Sequence, residues 1–196
     1  MDAQRLMTGR LRIWVGIAAI WALVYAAYRS YYALGGTLAL PGTLLPDARA
    51  TFQLINAVAV VVLLVGVAAP VVMLRLWTTR LRPACIAVCS AVTVGCVMHA
   101  IIDMTQRVLS LLGQFSVSYP TVLWASVDRR AADLQDLFGN EPWFLIEGLL
   151  FATLAMLNLS PCGRRVFVVT AAVAIAAFVA VGLLTATGRL ERVIVS

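Results

Sequence analysis

Apolar residues run along this chain in long blocks, and its polar residues gather between them. The blocks predict helices over approximately 11–32, 54–74, 84–112, 143–159 and 166–185. About 20 apolar residues wound as a helix cross a hydrocarbon core of roughly 30 Å. The predicted fold class is therefore an all-α integral membrane protein, a compact bundle of about five transmembrane helices forming one domain over 1–196. The basic stretch Met1 to Arg12 leads into an apolar run with no small-x-small cleavage site before a polar region. It reads as a retained first helix rather than a cleaved signal.

Punctuation between the blocks agrees with this division. Pro83 and Pro142 stand where a helix can begin, at positions whose missing amide proton costs nothing, and Pro70 predicts a kink inside helix 2. Two connections are long, 33–53 and 114–141. The first carries the turn signals Gly35-Gly36, Pro41-Gly42 and Pro46-Asp47 among apolar leucines. In the second, Leu123, Trp124, Val127, Ala131, Leu134, Leu137 and Phe138 recur at spacings of one, three and four, with Asp128, Arg129, Asp133 and Asp136 between them. That pattern predicts an external amphipathic helix between helices 3 and 4.

Composition strengthens the membrane reading: 62% of residues are hydrophobic and 12% charged. The net charge of +6 comes from fifteen arginines against nine acids, with no lysine. The arginines sit at the ends of apolar runs, which points to anchoring rather than nucleic-acid binding. The tight groups Arg75 to Arg82 and Arg164-Arg165 mark short cytoplasmic loops, and with them the N-terminus is expected in the cytoplasm. The expected location is the inner (plasma) membrane, crossed several times.

Ionisable groups inside a span are costly and are therefore functional candidates. Helix 3 carries His99, Asp103 and Arg107 four residues apart, one above another on a single face that continues through Cys96, Cys89 and Cys85. Glu147, near the start of helix 4, is the expected partner of His99. Arg29 ends helix 1, and Gln53 and Asn56 open helix 2. In the predicted topology these residues share one depth. Arg29, Asn56, His99, Asp103, Arg107 and Glu147 are accordingly the candidate ligand-binding or proton-relay set of an outward-facing polar pocket. A structural reading stands beside it: Arg29 reaching lipid headgroups, Asp103 paired with Arg107, and His99 with Glu147 tying two helices together.

No catalytic residue is identified, and no metal or other cofactor is expected. Cys85 and Cys89 do not have redox-pair spacing, and neither Cys-x-x-Cys-His nor His-Glu-x-x-His occurs. Cys85, Cys89, Cys96 and Cys162 read as packing residues without a disulfide. The stretch Tyr31-Tyr32-Ala33-Leu34-Gly35-Gly36 resembles a Tyr/Trp-Ala-Leu-Gly-Gly turn outside the first helix of small actinobacterial integral membrane proteins. The resemblance covers those six residues and implies a membrane location, with no activity attached.

Three functions fit this pattern. The first is a small transport or ligand-responsive protein; the second, a structural or accessory subunit of a larger membrane complex. The third is a membrane enzyme acting on a lipid-linked or periplasmic substrate. The partners expected are the lipid bilayer, a small polar or lipid-derived ligand, and a second copy or larger membrane complex, with no nucleic acid.

Overall fold

A computed structural model describes the backbone over residues 3–77 and 80–186. Asp2, Arg189, Glu191 and Arg192, which enter the charge count, lie outside the described residues. The chain folds as α1 (Ala3–Ala33), β1 (Gly42–Leu44), a 3-10 turn (Pro46–Ala48), α2 (Arg49–Leu76) and α3 (Arg82–Leu111). There follow β2 (Trp124–Val127), α4 (Arg129–Gln135), a π-helical turn (Asp136–Asn140), α5 (Glu141–Leu157) and α6 (Pro161–Ala186).

Helices occupy all five predicted positions. Four segments are long and apolar enough to cross a membrane: Gly9–Ala33, Pro46–Leu76, Arg82–Leu111 and Pro161–Ala186. The chain is thus a multi-pass membrane protein. The remaining main helix, α5, has 17 residues, or about 25 Å of rise. Only 11% of the most apolar stretch of α2 and 6% of that of α6 is buried in the protein, against 33% for the first helix and 28% for α3. The exposed valines and leucines of α2 and α6 suit a lipid surface, where apolar side chains need no protein cover.

The chain divides into two compact units. The first comprises residues up to Arg80 together with Ser118–Gln135. Here α1 and α2 run antiparallel, because Arg29 near the end of α1 bonds Asn56 near the start of α2. The chain leaves α1 through Gly35, whose φ of +94° is a left-handed conformation that glycine adopts without a side-chain clash. The amide of Gly36 closes that turn on the Tyr31 carbonyl at 2.9 Å.

The two long connections then meet. Strands β1 and β2 pair antiparallel, Gly42 with Val127, Thr43 with Ser126 and Leu44 with Trp124, with an irregularity between Thr43 and Leu44. Backbone bonds from Asp128 to Pro41 (2.8 Å) and from Leu45 to Leu123 (3.0 Å) extend the ladder. Trp124 packs edge-on against Phe52, and Phe52 against Tyr32, both with centroids 6.0 Å apart. The segment expected to form one amphipathic helix is thereby divided. Its β-branched and aromatic start takes a strand partner, and helix begins only after Asp128, whose Oδ1 accepts the Ala131 amide at 3.0 Å. The helix that follows has seven residues.

The second unit comprises Leu81–Val117 and the chain from Asp136 onward. Helices α3 and α5 lie antiparallel and close. A Cβ placed on Gly148 would stand 2.7 Å from Val97 Cγ2 and 3.2 Å from both Cys96 Cβ and the Thr93 carbonyl, so glycine is what lets the backbones approach. Helix α6 runs beside α3 and brings Gly182 against Ile102. Carbonyls at the end of α5 are taken by arginines: Arg164 Nε donates to Met156 O (2.8 Å) and Leu159 O (3.1 Å), and Arg82 donates to the Asn158 carbonyl. Cations there also complement the negative end of the helix dipole.

Candidate functional site

The charged face predicted for α3 exists, and its neighbours come from the start of α5. A side chain on α3 recurs on the same face every four residues, so His99, Asp103 and Arg107 stack along it. His99 Nε2 lies 3.6 Å from Asp103 Oδ2 and 3.7 Å from Glu141 Oε2. Glu141 is the first residue of α5, which continues without a break from α4 through the π-helical turn, and Pro142 follows it. The side chain of Glu141 is 6% exposed, that of Asp103 29% and that of His99 44%. The trio is thus buried on one side and open at the imidazole. Phe144, one turn into α5, packs edge-on against the His99 ring with centroids 4.6 Å apart.

Arg107, one turn further along α3, grips Asp136 at 2.7 Å, and both side chains are largely covered. Asp136 also accepts a hydrogen bond from Asn140 Nδ2 at 2.6 Å. These two contacts fix the π-helical turn on which Glu141 is carried, so Arg107 positions the trio. Pairing of Arg107 with Asp103, the i,i+4 alternative, gives way to Asp136 for Arg107 and His99 for Asp103.

Glu147 does not partner His99. It follows Glu141 by six residues, about 9 Å along the helix. Its neighbour Gly148 rests on α3 at Thr93, Cys96 and Val97, a turn deeper than His99. Glu147 Oε2 is buried there with no hydrogen-bond partner, as is the Thr93 hydroxyl, and the carboxylate lies within electrostatic reach of the Cys96 thiol. A helix 4 starting at 143 would set Glu147 level with His99, whereas α5 begins at Glu141 and its register on α3 sets Glu147 near Cys96. A line of polar groups therefore follows the α3–α5 seam: Asp103, His99 and Glu141 at one end, then Cys96, Thr93 and Glu147 further in.

Arg29 and Asn56 belong to the first unit, where they bind each other. Arg29 donates to Asn56 Oδ1 (3.2 Å) and to the Tyr25 hydroxyl (2.8 Å), and its guanidinium lies 5.2 Å from the Tyr25 ring centroid. Asn56 is 1% exposed and donates its amide to the Phe52 carbonyl at 2.9 Å. The Tyr28 hydroxyl, nearby on α1, accepts from Gln135 Nε2 at 3.2 Å and contacts the Tyr32 hydroxyl at 3.3 Å. This network ties helices to the paired connections.

Sequence reasoning missed Glu141 and Asp136 because both were placed in a connection. Their available signal was Glu141-Pro142, an acid and a proline at a helix start. All four cysteines are free; Cys85 and Cys89 are buried, Cys162 exposed.

Compared with known protein families, curated proteins and solved structures, the chain matches none, so its own residues and geometry carry the functional reading.

Proposed function

We propose that this multi-pass membrane protein takes up a small cationic or protonatable solute at the His99–Asp103–Glu141 cluster and passes charge inward along the α3–α5 seam. The observation that carries this reading is Glu147, whose buried Oε2 has no hydrogen-bond partner between two helices. An unsatisfied carboxylate costs several kcal/mol in hydrocarbon, roughly. A group of this kind inside a span marks an ion or proton pathway by default. Cys96 lies within electrostatic reach of Glu147, and Thr93, whose carbonyl lies against Gly148, adds a further polar group to the same stretch of α3.

The side from which solute enters follows from the connections and the arginines. Pairing of β1 with β2 supports a common side for the two long connections, as the two crossings between them, α2 and α3, require. The arginine groups at Arg75 to Arg82 and Arg164-Arg165 then assign the opposite ends to the cytoplasm. In this topology α5 is the fourth crossing and α6 the fifth, the His99 cluster faces outward, and the membrane is the plasma membrane.

Purified protein in proteoliposomes tests the reading. Under an imposed pH gradient or a cation gradient, vesicles carrying the protein should show solute-dependent charge or proton movement that Glu147→Gln abolishes. Vesicles that stay tight under every gradient sink it. A second reading, an accessory subunit in a membrane complex, is favoured by the sparse protein cover of α6. It predicts a stable larger assembly in mild detergent, where the transport reading needs none.

A further inference from the structure

We propose that His99, Asp103 and Glu141 bind a divalent transition-metal ion. The inference deepens the uptake reading and rests on it in one respect, that the cluster is reached from the aqueous side. The sequence alone shows no converging set of ligands, and no metal is expected from it. Glu141 is brought to His99 and Asp103 by the start of α5.

The donor set is the first support. One imidazole nitrogen and two carboxylate oxygens, one from each residue, lie within 4.8 Å of one another. A tetrahedral site with bonds of about 2.1 Å has edges of about 3.4 Å between ligand atoms. His99 Nε2 to Asp103 Oδ2 is already 3.6 Å and His99 Nε2 to Glu141 Oε2 3.7 Å. Side-chain rotation alone therefore closes those two edges.

Rigidity is the second support. His99 and Asp103 stand four residues apart on α3, which makes them a chelating pair on one helical face. Glu141 is held by the turn that Arg107 pins through Asp136 at 2.7 Å, and the Phe144 ring against His99 limits the imidazole's rotation. Ligands supported this way lose little entropy on binding.

Charge and access point the same way. A divalent ion brings two positive charges to two carboxylates, one of them 6% exposed, while the half-exposed imidazole leaves an entry route. Three protein ligands leave coordination positions open for water or a solute. The set includes a nitrogen donor and no thiolate, which favours Zn²⁺, Co²⁺, Fe²⁺ or Mn²⁺ over the oxygen-seeking Ca²⁺ and Mg²⁺ or the thiophilic Cu⁺.

Titration of the full chain in nanodiscs with Co²⁺, after removal of any purification tag, tests the site. The wild type should bind one Co²⁺ per chain with visible d–d bands and no thiolate-to-cobalt charge-transfer band. Asp103→Asn and Glu141→Gln, both close to isosteric, should each weaken binding by more than about tenfold while helical content is retained. Cys162→Ser should leave the titration unchanged. Absence of bound Co²⁺ in a folded wild type overturns the proposal. So does binding that neither isosteric variant weakens, or a charge-transfer band showing cysteine coordination. Should Co²⁺ fail to bind while Glu147-dependent flux persists, the metal site falls and the uptake reading stands. Should Co²⁺ bind as described in vesicles that remain tight, the metal site stands and the uptake reading falls.

Discussion

In the first unit Asn56 is almost wholly buried, and its amide is used at both ends: the oxygen accepts from Arg29 and the nitrogen donates to the Phe52 carbonyl. In the second, Glu147 and Thr93 hold buried oxygens that make no hydrogen bond. Both sets lie within helices rich in apolar residues, so the difference is not one of solvent. A satisfied polar group in a bilayer fastens helices together. An unsatisfied one lowers stability, and its presence calls for another role. The first unit is not free of such groups, since Trp77 Nε1 is also buried without a partner. A buried carboxylate is the costlier case, and it is Glu147 that supports the proposed handling of a solute or proton in the second unit.

The largest expected effect probes the close contact on which the second unit depends. Gly148→Leu must push Val97 and the Thr93 backbone away, and should cost about 3 kcal/mol, read from reversible unfolding in mixed micelles. Stability equal to wild type would show that α3 and α5 do not need this approach. It would also remove the register that sets Glu147 below His99.

Opposite signs are expected when the two buried polar groups are replaced. Asn56→Leu should destabilise by about 1–2 kcal/mol, since it strands the Arg29 and Phe52 partners. Glu147→Leu should be neutral or stabilising by about 1 kcal/mol and should abolish flux. A loss of stability in both would erase the contrast between the units.

Arg107→Met should act through position. It releases Asp136 and with it the turn before Glu141, so solute or metal affinity at the trio should fall about tenfold while the helices stay folded by circular dichroism. Unchanged affinity would mean that Glu141 is held by the start of α5 alone. The smallest effect is expected for Gln135→Ala. This removes one half-buried bond to Tyr28 and should cost about 0.5 kcal/mol, with flux unaltered.

Much of the fold was legible in the chain. Runs of apolar residues, prolines at helix starts and arginines at helix ends are local properties, and the structure places helices where those runs lie. The charged face of α3 was equally legible, because four-residue spacing fixes a common side of a helix whatever surrounds it. The candidate set was read less completely. Arg29 and Asn56 share a unit and a hydrogen bond, His99 and Asp103 share a cluster, and Glu147 sits deeper on its own helix.

What the tertiary structure alone decided is which distant residues meet. Pairing of Gly42–Leu44 with Trp124–Val127 joins connections whose separate patterns suggested a loop and a helix. A strand needs a partner, and no local period names it. Glu141 rather than Glu147 meets His99 because the register of two antiparallel helices is set by packing at Gly148 and by the π-helical turn before α5. The sequence by itself determined a multi-pass chain with ionisable residues on one face of its third helix. Only packing, acting between residues far apart in the chain, decided which carboxylates that face would find.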